Sequence, residues 1–269
     1  ITGKALKGAR RDSVILATKC HFPIDAGPFS NDRTPNTWGN SRRHIVKACD
    51  DSLRRLGTDW IDLYQLHRPD PNVPIDESLS ALNDLVHQGK IRAFGCSTFP
   101  AEHLVQAAWV ADKKNFIPFS TEQPPYSIFV RWIERDLLPT CKRLGMGTLV
   151  WSPLNGGWLS GTYRSGAGQR TEGRAARTPA RYDLSDPANA KKMELVEELV
   201  VIADEIGVPL AHLAIAWVLH HPAVTSAIIG PRVMHHLTSL FGAETIKLPT
   251  DVLDRIDALV APGRTVMPD

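Results

Sequence analysis

The sequence has few of the features that mark secreted, membrane and metal-binding proteins. Its four cysteines, at positions 20, 49, 96 and 141 of 269 residues, form no C-x-x-C pair. This spacing predicts small buried cysteines in a reducing compartment rather than disulfides or a metal site. No apolar run approaches the roughly 18–20 residues that a membrane span needs. The first residues have no hydrophobic signal region, and we expect a cytoplasmic protein with no membrane span.

The sequence also lacks an excess of either charge. Its 31 basic and 29 acidic residues give a net charge of +2, which offers no argument for a nucleic-acid partner. A basic stretch over residues 164–181 is the exception, and it falls in a loop-like segment. The chain is 43% hydrophobic, enough for one large core, and its length is typical of a single α/β barrel. We predict one domain over residues 1–269.

Several common site signatures are absent. No G-x-G-x-x-G follows a predicted strand, so a Rossmann site is unsupported. Residues 3–8 have the glycine spacing of a P-loop but are not followed by Lys-Ser/Thr. The pairs His220-His221 and His235-His236 lack the i, i+4 spacing of helical metal ligands. We predict that these histidines are surface residues and that the protein holds no metal.

Short apolar strands alternate with longer helical patterns along the chain. The strands are predicted near residues 14–18, 61–66, 91–96, 117–123, 148–151 and 225–229. The helices are predicted near residues 41–56, 75–86, 101–113, 130–144, 191–206, 209–221, 232–242 and 250–260. Short apolar strands that are each followed by a helix are typical of a parallel sheet covered by helices. The pattern predicts an α/β fold of the (β/α)8 TIM-barrel class.

The start of the chain predicts that the barrel is incomplete. Residues 1–8 resemble the last turns of a helix that ends at Gly8, and no initiator Met precedes them. Six strands are predicted where a (β/α)8 barrel has eight, and an open arc would leave unpaired strand edges. We therefore expect about six of the eight βα units in this chain, with the first units upstream of residue 1.

Two polar residues end predicted strands where a core residue would be expected. Lys19 ends the first strand and His67 ends the second. Since the C-terminal ends of parallel barrel strands meet at one mouth, these side chains should lie side by side. A neutral imidazole can orient a carbonyl, and an ammonium can lower the pKa of a nearby phenol, as carbonyl reduction requires. The alternative is a Lys that reaches solvent and a His packed at the rim.

Further strand-end residues suit a nicotinamide cofactor. Ser97 and Gln123 offer a hydroxyl and an amide that can pair with a carboxamide. Trp151 follows a strand and can stack on a flat ring, and Gly157 permits close backbone approach to a pyrophosphate. The alternative is that the polar groups cap helices and that the tryptophan belongs to the core.

The segment around Gly230 and Arg232 predicts an anion site. It consists of a strand end, a glycine turn and the start of a predicted helix. Backbone N–H groups at a helix N-terminus attract a phosphate, and an arginine adds a charge-assisted contact.

Six segments in this order resemble the aldo-keto reductase superfamily. They are VILATK, SLRRLGTDWIDLYQLHRPDP, GKIRAFGCSTFP, TEQPPYS, WSPLNGGWLSG and AIIGPR, and the resemblance extends over essentially all 269 residues. The likeness is greatest to the bacterial branch related to the potassium-channel β-subunit type. It implies NADPH-dependent reduction of aldehydes or ketones to alcohols on a (β/α)8 barrel. The alternative is a non-catalytic NADP(H)-binding sensor or partner subunit.

The resemblance also implies roles for individual residues. Within the family's Asp, Tyr, Lys, His tetrad, Lys19 matches the Lys and His67 matches the His. Ser97 and Gln123 match the carboxamide contacts, and Trp151 matches the aromatic residue beneath the nicotinamide ring. The matches in the pyrophosphate loop and at the 2′-phosphate end are Ser152, Leu154, Gly157, Gly230 and Arg232.

The sequence departs from the family pattern at two places. The tetrad's Asp and Tyr precede the segment that ends at Gly8, so we expect both in an upstream segment and little reductase activity from residues 1–269 alone. The tyrosines of the chain, which stand at other motif positions, are Tyr64, Tyr126, Tyr163 and Tyr182. At the adenine end, relatives carry Gln, Glu and Asn where this chain has His236, Thr238 and Leu240.

The first long loop of the sequence carries an indication of the substrate. The first long loop contains the aromatic residues Phe22, Phe29 and Trp38. Their presence favours an apolar or aromatic carbonyl compound as substrate.

Overall fold

The computed structural model describes residues 1–23, 36–166 and 173–266. The chain divides into two compact units. The first consists of Ile1–Gln123 and Thr140–Gly147, and the second of Pro124–Pro139 and Thr148–Asp269. The expectation of one domain over residues 1–269 stays a prediction.

The first unit is built on four parallel strands that pair in sequence order. They are β1 (Ala17–Cys20), β2 (Ile61–Leu66), β3 (Ile91–Cys96) and β4 (Thr121–Glu122). Lys19 lies opposite Gln65 in the β1–β2 pair, and Cys96 lies opposite Glu122 in the β3–β4 pair. The strands are connected and flanked by α1 (Thr2–Ala5), a 3-10 turn (Gly8–Arg10), α2 (Arg42–Leu56), α3 (Ile75–His87) and α4 (Ala101–Lys114).

The helices of the first unit form where the sequence signals place them. Helix α2 begins after Ser41, whose side chain accepts a hydrogen bond from the His44 backbone N–H, and ends at Gly57 in the left-handed conformation. Its apolar face buries Ile45 and Cys49. Helix α3 carries acidic residues in its first turn, where they complement the helix dipole. These faces pack on a core that includes Ile61, Tyr64, Leu66, Leu79, Leu82, Ile91 and Phe94.

The second unit contains the parallel pair formed by β5 (Gly147–Trp151) and β6 (Ser226–Ile228), with Trp151 opposite Ile228. Helix α5 (Leu137–Arg143) contributes residues to both units. The other helices are α6 (Gly173–Arg177), α7 (Pro187–Glu205), α8 (Leu210–His220), α9 (Met234–Thr238) and α10 (Thr250–Leu259). Four 3-10 segments lie between them, at Trp132–Glu134, Asn155–Ser160, Pro179–Tyr182 and Ala243–Thr245.

The prediction of six short parallel strands, separated by helices, is confirmed in the described residues. This arrangement is consistent with a (β/α)8 barrel, and the count of six units out of eight stays a prediction. Some boundaries were wrong. Strand β1 begins at Ala17 rather than near residue 14, and Val14 and Ile15 are exposed. Strand β4 has two residues, not the seven of 117–123.

Two helix predictions were also wrong. The helix expected over residues 130–144 is split into a 3-10 turn and α5, because Pro139 has no N–H to continue the helical hydrogen bonds from upstream. The helix expected over residues 232–242 is the short α9, which is followed by a left-handed Gly242 and another 3-10 turn. The 3.6-residue pattern alone does not show where such backbone breaks fall.

All four cysteines are free and buried, as predicted from their spacing. In the described part of the chain, no group of three or more His, Cys, Asp or Glu side chains is arranged to hold a metal ion. No single described helix is long and apolar enough to cross a membrane. The pair α7 and α8 passes that test of length and composition together, but is bent by 89°.

Candidate active site

Lys19 and His67 stand at the C-terminal ends of neighbouring parallel strands of the first unit. Lys19 lies opposite Gln65 on β2, and the His67 backbone N–H donates to the Cys20 carbonyl at 2.9 Å. Side chains two residues apart on a strand share a face, so His67 is on the same face as Gln65 and its partner Lys19. The structure therefore brings the two predicted catalytic side chains to one face of the sheet.

The electrostatics of this pair depart from those of free side chains. Burial, together with the nearby charges of Lys19, Arg68 and His21, lowers the pKa of His67 to about 4. Burial also lowers the pKa of Lys19, with a further contribution from Arg68. His67 is thus a neutral imidazole at pH 7, which can donate or accept a hydrogen bond without carrying charge.

A chain of aromatic rings leads away from His67. Phe22 meets His67 edge to face, with ring centroids 5.0 Å apart, and His21 meets Phe22 at 4.9 Å and Trp38 at 4.6 Å. Phe22 and Trp38 are the two residues of the first loop that were expected to favour an apolar carbonyl. The third, Phe29, lies outside the described residues.

Asn40 holds the described end of this loop in place and was not predicted from the sequence. Its side chain pairs with the His21 ring nitrogen Nδ1 at 2.9 Å and donates to the Arg68 carbonyl at 2.8 Å. Its backbone N–H donates to Asp70, and its carbonyl accepts from Ser78. In the sequence, Asn40 is marked only by its position between a glycine and the N-cap of α2. That position does not reveal hydrogen-bond partners 28 to 38 residues away.

Ser97 and Gln123 form a polar pair after β3 and β4. The Ser97 hydroxyl donates to the Gln123 carbonyl at 2.8 Å, and the Gln123 backbone N–H donates to the Cys96 carbonyl at 3.0 Å. Both side chains are buried. The side-chain oxygen Oε1 of Gln123 is buried and has no hydrogen-bond partner. Because a buried polar atom normally has a partner, this free acceptor fits the NH₂ group of a carboxamide.

Two further polar groups lie beside this pair. Arg68 donates to the Thr98 hydroxyl at 2.5 Å. Glu122, whose side chain is fully buried, accepts from the Cys96 thiol at 2.9 Å. Burial raises the pKa of Glu122 to about 7, although backbone N–H groups and the thiol hydrogen bond oppose the rise. Arg68 and Glu122 were not predicted from the sequence, where each reads as an ordinary charged residue next to a strand end.

The second unit contains a cavity of about 1380 Å³. It begins at Trp151, the last residue of β5, and extends to residues after β6. All the cofactor-binding residues predicted in this part of the chain line it, namely Trp151, Ser152, Leu154, Gly157, Gly230 and Arg232. The cavity exceeds the roughly 300–1,000 Å³ of a typical small-molecule pocket, which suits an extended ligand.

The loop after β5 has an unusual backbone. Ser152, Asn155, Gly156 and Gly157 all have positive φ angles, from 46° to 112°. The Ser152 hydroxyl accepts from the Gly156 backbone N–H at 3.1 Å, and the Tyr182 hydroxyl donates to the Gly156 carbonyl at 2.9 Å. The Asn155 and Gly157 backbone N–H groups donate to the Ser152 and Leu154 carbonyls, both at 2.8 Å, so these conformations close the loop on itself.

The cavity lining carries a strong excess of positive charge. Among the lining residues that the structure describes, the cationic side chains are Arg177, Arg181, Lys192 and Arg232, and Asp186 is the one acidic residue. Arg177 and Arg181 come from the basic stretch that the sequence placed in a loop, part of which forms α6 and the turn Pro179–Tyr182. The cavity therefore suits a ligand with several negative charges.

One part of the predicted anion site was wrong. The helix after Gly230 begins only at Met234 and has five residues, so Gly230 and Arg232 do not stand at the N-terminus of a long helix. Both line the cavity, but in the irregular segment between β6 and α9. His235 and His236 are exposed, as predicted, and also line the cavity.

Three tyrosines have hydroxyl partners away from Lys19 and His67. Tyr64 donates to the Ile45 carbonyl, Tyr126 to Glu134 and Tyr182 to the Gly156 carbonyl. Burial raises the pKa of both Tyr64 and Tyr126. Tyr163 stacks on Tyr182 with the rings 4.9 Å apart. That none of the four matches the family's catalytic tyrosine stays a prediction.

The fold alternates strands and helices, with a lysine and a histidine at adjacent strand ends. The chain belongs to the aldo/keto reductase family, whose model matches residues 1–261. The expectation that part of the barrel precedes residue 1 stays a prediction.

Relatives from bacteria and fungi carry oxidoreductase and channel-subunit names. The chain is 38% identical over 268 residues to an uncharacterised oxidoreductase, YrpG, of Bacillus subtilis, covering 98% of this chain and 78% of the relative. It is 33% identical to a putative voltage-gated potassium channel subunit beta of Schizosaccharomyces pombe (97% and 75%). It is 32% identical to the versiconal hemiacetal acetate reductase of Aspergillus parasiticus (97% and 78%).

Proposed function

We propose that this protein is an NADPH-dependent oxidoreductase that reduces small aldehydes or ketones to alcohols. The observation that carries the proposal is the set of polar side chains in or just after the C-terminal ends of four adjacent parallel strands, Lys19, His67, Ser97 and Gln123. Family membership and the oxidoreductase names of several relatives support the reaction class.

The proposed chemistry needs a site that stabilises negative charge on the carbonyl oxygen. A bound NADPH supplies the hydride. The neutral His67 imidazole hydrogen-bonds to the substrate carbonyl and orients it. The Lys19 ammonium stabilises the charge that develops on the oxygen and donates the proton that completes the alcohol. The rings of Phe22 and Trp38 provide an apolar wall for the rest of the substrate.

The residues present fit the cofactor. Gln123 and Ser97 hold the carboxamide, which satisfies the free Gln123 Oε1 atom. The resemblance assigns Trp151 to the nicotinamide ring, and Ser152, Leu154 and Gly157, which line the cavity of the second unit, would hold the pyrophosphate. Gly230 permits close approach of the backbone at the 2′-phosphate end, where Arg232 binds the phosphate. The excess of cationic side chains in this cavity favours a cofactor with the additional phosphate.

A second function, a non-catalytic NADP(H)-binding sensor or partner subunit, has its own supporting observation. The resemblance implies a tyrosine proton donor, yet the hydroxyls of Tyr64, Tyr126 and Tyr182 donate elsewhere. Three of the relatives are named as potassium channel β subunits. Binding of NADPH without turnover would favour this second function.

The first prediction tests the two functions together. The purified protein should quench or shift NADPH fluorescence on binding and should oxidise NADPH at 340 nm when given an aromatic aldehyde. Lys19→Met and His67→Leu should each lower kcat/KM by about 10²–10⁴-fold, the range for loss of a positioned acid–base group. NADPH affinity should change much less, because neither side chain is assigned a cofactor contact.

The control for this experiment is Lys114→Met, which removes an exposed lysine that pairs with Asp76 on the outer helices. It should leave both binding and turnover unchanged. Binding with no turnover of any carbonyl in the wild-type protein would contradict the reductase. Absence of NADPH binding would contradict both functions.

A further inference from the structure

A buried thiol–carboxyl pair lies directly beside the proposed carboxamide site. Cys96 ends β3, Glu122 ends β4, and the two residues are register partners across these strands. The Cys96 Sγ atom donates to Glu122 Oε2 at 2.9 Å, and both side chains are fully buried. The second carboxyl oxygen, Oε1, accepts from the Phe99 backbone N–H at 3.2 Å. Glu122 thus joins β4 to both the end of β3 and the start of the next connection.

A buried carboxyl group is unfavourable unless its oxygens are hydrogen-bonded. Here both oxygens have donors, so the pair is a specific interaction and not a carboxylate stranded in the core. Neither Cys96 nor Glu122 has a part in the proposed reaction. A Leu or Val at either position would fill the space without desolvating a carboxyl group, so the polar pair calls for a local explanation.

The next residues along both strands provide that explanation. Ser97 follows Cys96, and Gln123 follows Glu122, so one polar pair adjoins the other. The turn between Cys96 and Phe99 contains Thr98 in the left-handed conformation (φ 60°), which a β-branched residue rarely adopts without support. Glu122 fixes one end of this turn through Cys96 and the other through Phe99. Ser97, inside the turn, then donates to the Gln123 carbonyl.

We propose that Glu122, together with Cys96, is a positioning residue that holds Ser97 and Gln123 in the geometry that reads the cofactor's carboxamide. Glu122 does not touch the cofactor, and its effect is confined to the nicotinamide end of the ligand. The inference rests on the proposed function, because it takes Ser97 and Gln123 to be the carboxamide contacts.

The test compares three ligands on the same variants by isothermal titration calorimetry. They are NADP⁺, its 3-acetylpyridine analogue, in which a methyl group replaces the carboxamide NH₂, and adenosine 2′,5′-bisphosphate, which has no nicotinamide. Glu122→Met keeps the approximate volume and removes the acceptor. This substitution should weaken the affinity for NADP⁺ by about tenfold, the loss expected for one well-oriented hydrogen bond. The affinity for the bisphosphate should stay within about twofold, since the adenine end does not use this turn.

Two conservative variants separate positioning from general damage. Glu122→Gln keeps an acceptor for the Phe99 N–H and should restore most of the NADP⁺ affinity. Cys96→Ser keeps a donor to Glu122 and should do the same, whereas Cys96→Val should behave like Glu122→Met. The wild-type preference for NADP⁺ over the acetylpyridine analogue should shrink in Glu122→Met and Cys96→Val. A merely structural role would not produce that change.

The outcomes distinguish this inference from the proposed function. Wild-type protein that binds neither NADP⁺ nor the bisphosphate overturns both. A second possible result is that the wild type binds NADP⁺ and the bisphosphate, and that Glu122→Met binds all three ligands as tightly as the wild type does. That result overturns only the positioning role. Equal weakening of all three ligands with a lowered melting temperature also overturns it, because it shows general destabilisation. Selective weakening of NADP⁺ supports it.

Discussion

At the scale of single residues, the environment of His67 decides which chemistry it can perform. Its pKa is lowered to about 4 because the ring is partly buried and faces the charges of Lys19 and Arg68. A protonated imidazole is therefore absent at pH 7, and the ring can only orient a carbonyl or relay a proton. The same surroundings lower the pKa of Lys19. Neither effect is visible in the sequence, where the two residues are 48 positions apart.

Arg232 carries a prediction about cofactor choice. It lines the cavity of the second unit among other cationic side chains, and we assign it to the 2′-phosphate. Arg232→Ala should weaken the binding of NADPH by roughly 1.5–3 kcal/mol, the net contribution of a hydrogen bond to a charged group. NADH has no 2′-phosphate, so its affinity should change little. Fluorescence titration with both cofactors measures the ratio of their dissociation constants.

Arg143→Ala, on an exposed position of α5, is the matched control and should leave the ratio unchanged. Equal affinities of the wild-type protein for NADPH and NADH would show that the 2′-phosphate is not recognised.

At the scale of secondary-structure elements, the close approach of β3 and β4 depends on Gly95. A Cβ atom added there would lie 2.2 Å from the Thr121 hydroxyl and 2.4 Å from its carbonyl oxygen. The backbone contact cannot be relieved by a side-chain rotation, so β4 must move. Since Ser97 and Gln123 follow these strands, this displacement reaches the proposed carboxamide site.

Gly95→Ala should therefore destabilise the protein by about 1–3 kcal/mol, the range for overpacking a closely packed position. It should also weaken NADP⁺ binding. The control is Gly89→Ala, at a left-handed position where an added Cβ meets nothing within 4 Å. That change should lower stability by only about 1 kcal/mol and leave binding intact. Urea unfolding measures the free energy of unfolding, and calorimetric titration measures the dissociation constant of NADP⁺. Equal changes in both quantities for the two variants would contradict the role of Gly95 in the approach of β3 and β4.

At the scale of the whole molecule, Glu122 should make folding stability depend on pH. Its pKa rises from 4.5 to about 7 in the folded state. Between these values the folded protein holds a proton that the unfolded chain has lost, so stability falls as pH rises from about 4.5 to 7. The shift corresponds to a loss on the order of 3 kcal/mol above pH 7. Groups with lowered pKa values, such as Asp62, act in the opposite sense at lower pH.

Glu122→Gln removes the titrating group while retaining its shape. The melting temperature of this variant relative to the wild type should rise between pH 5 and pH 8, because only the wild type ionises a buried carboxyl group over that interval. Glu194→Gln, at an exposed glutamate that pairs with Lys191, should show no such trend. A constant difference between Glu122→Gln and the wild type across the pH range would contradict the raised pKa.

The sequence by itself determined the order of strands and helices and the strand-end residues from Lys19 to Arg232. These features follow from local periodicity, turn residues and ordered motifs, all of which lie within short stretches of chain. It did not place the ends of α9 or the length of β4. Those boundaries depend on a few backbone conformations, such as the left-handed one of Gly242, which change the periodicity of apolar residues very little.

Only the tertiary structure brought Cys96 and Glu122 together and left Gln123 Oε1 without a partner. The two side chains of that pair come from positions 26 residues apart. Their contact depends on the register of two parallel strands, and a shift of one residue would turn either side chain to the other face. The cationic lining of the cavity also depends on the tertiary structure, because Arg181 and Arg232 line the same cavity only after the chain between them has folded.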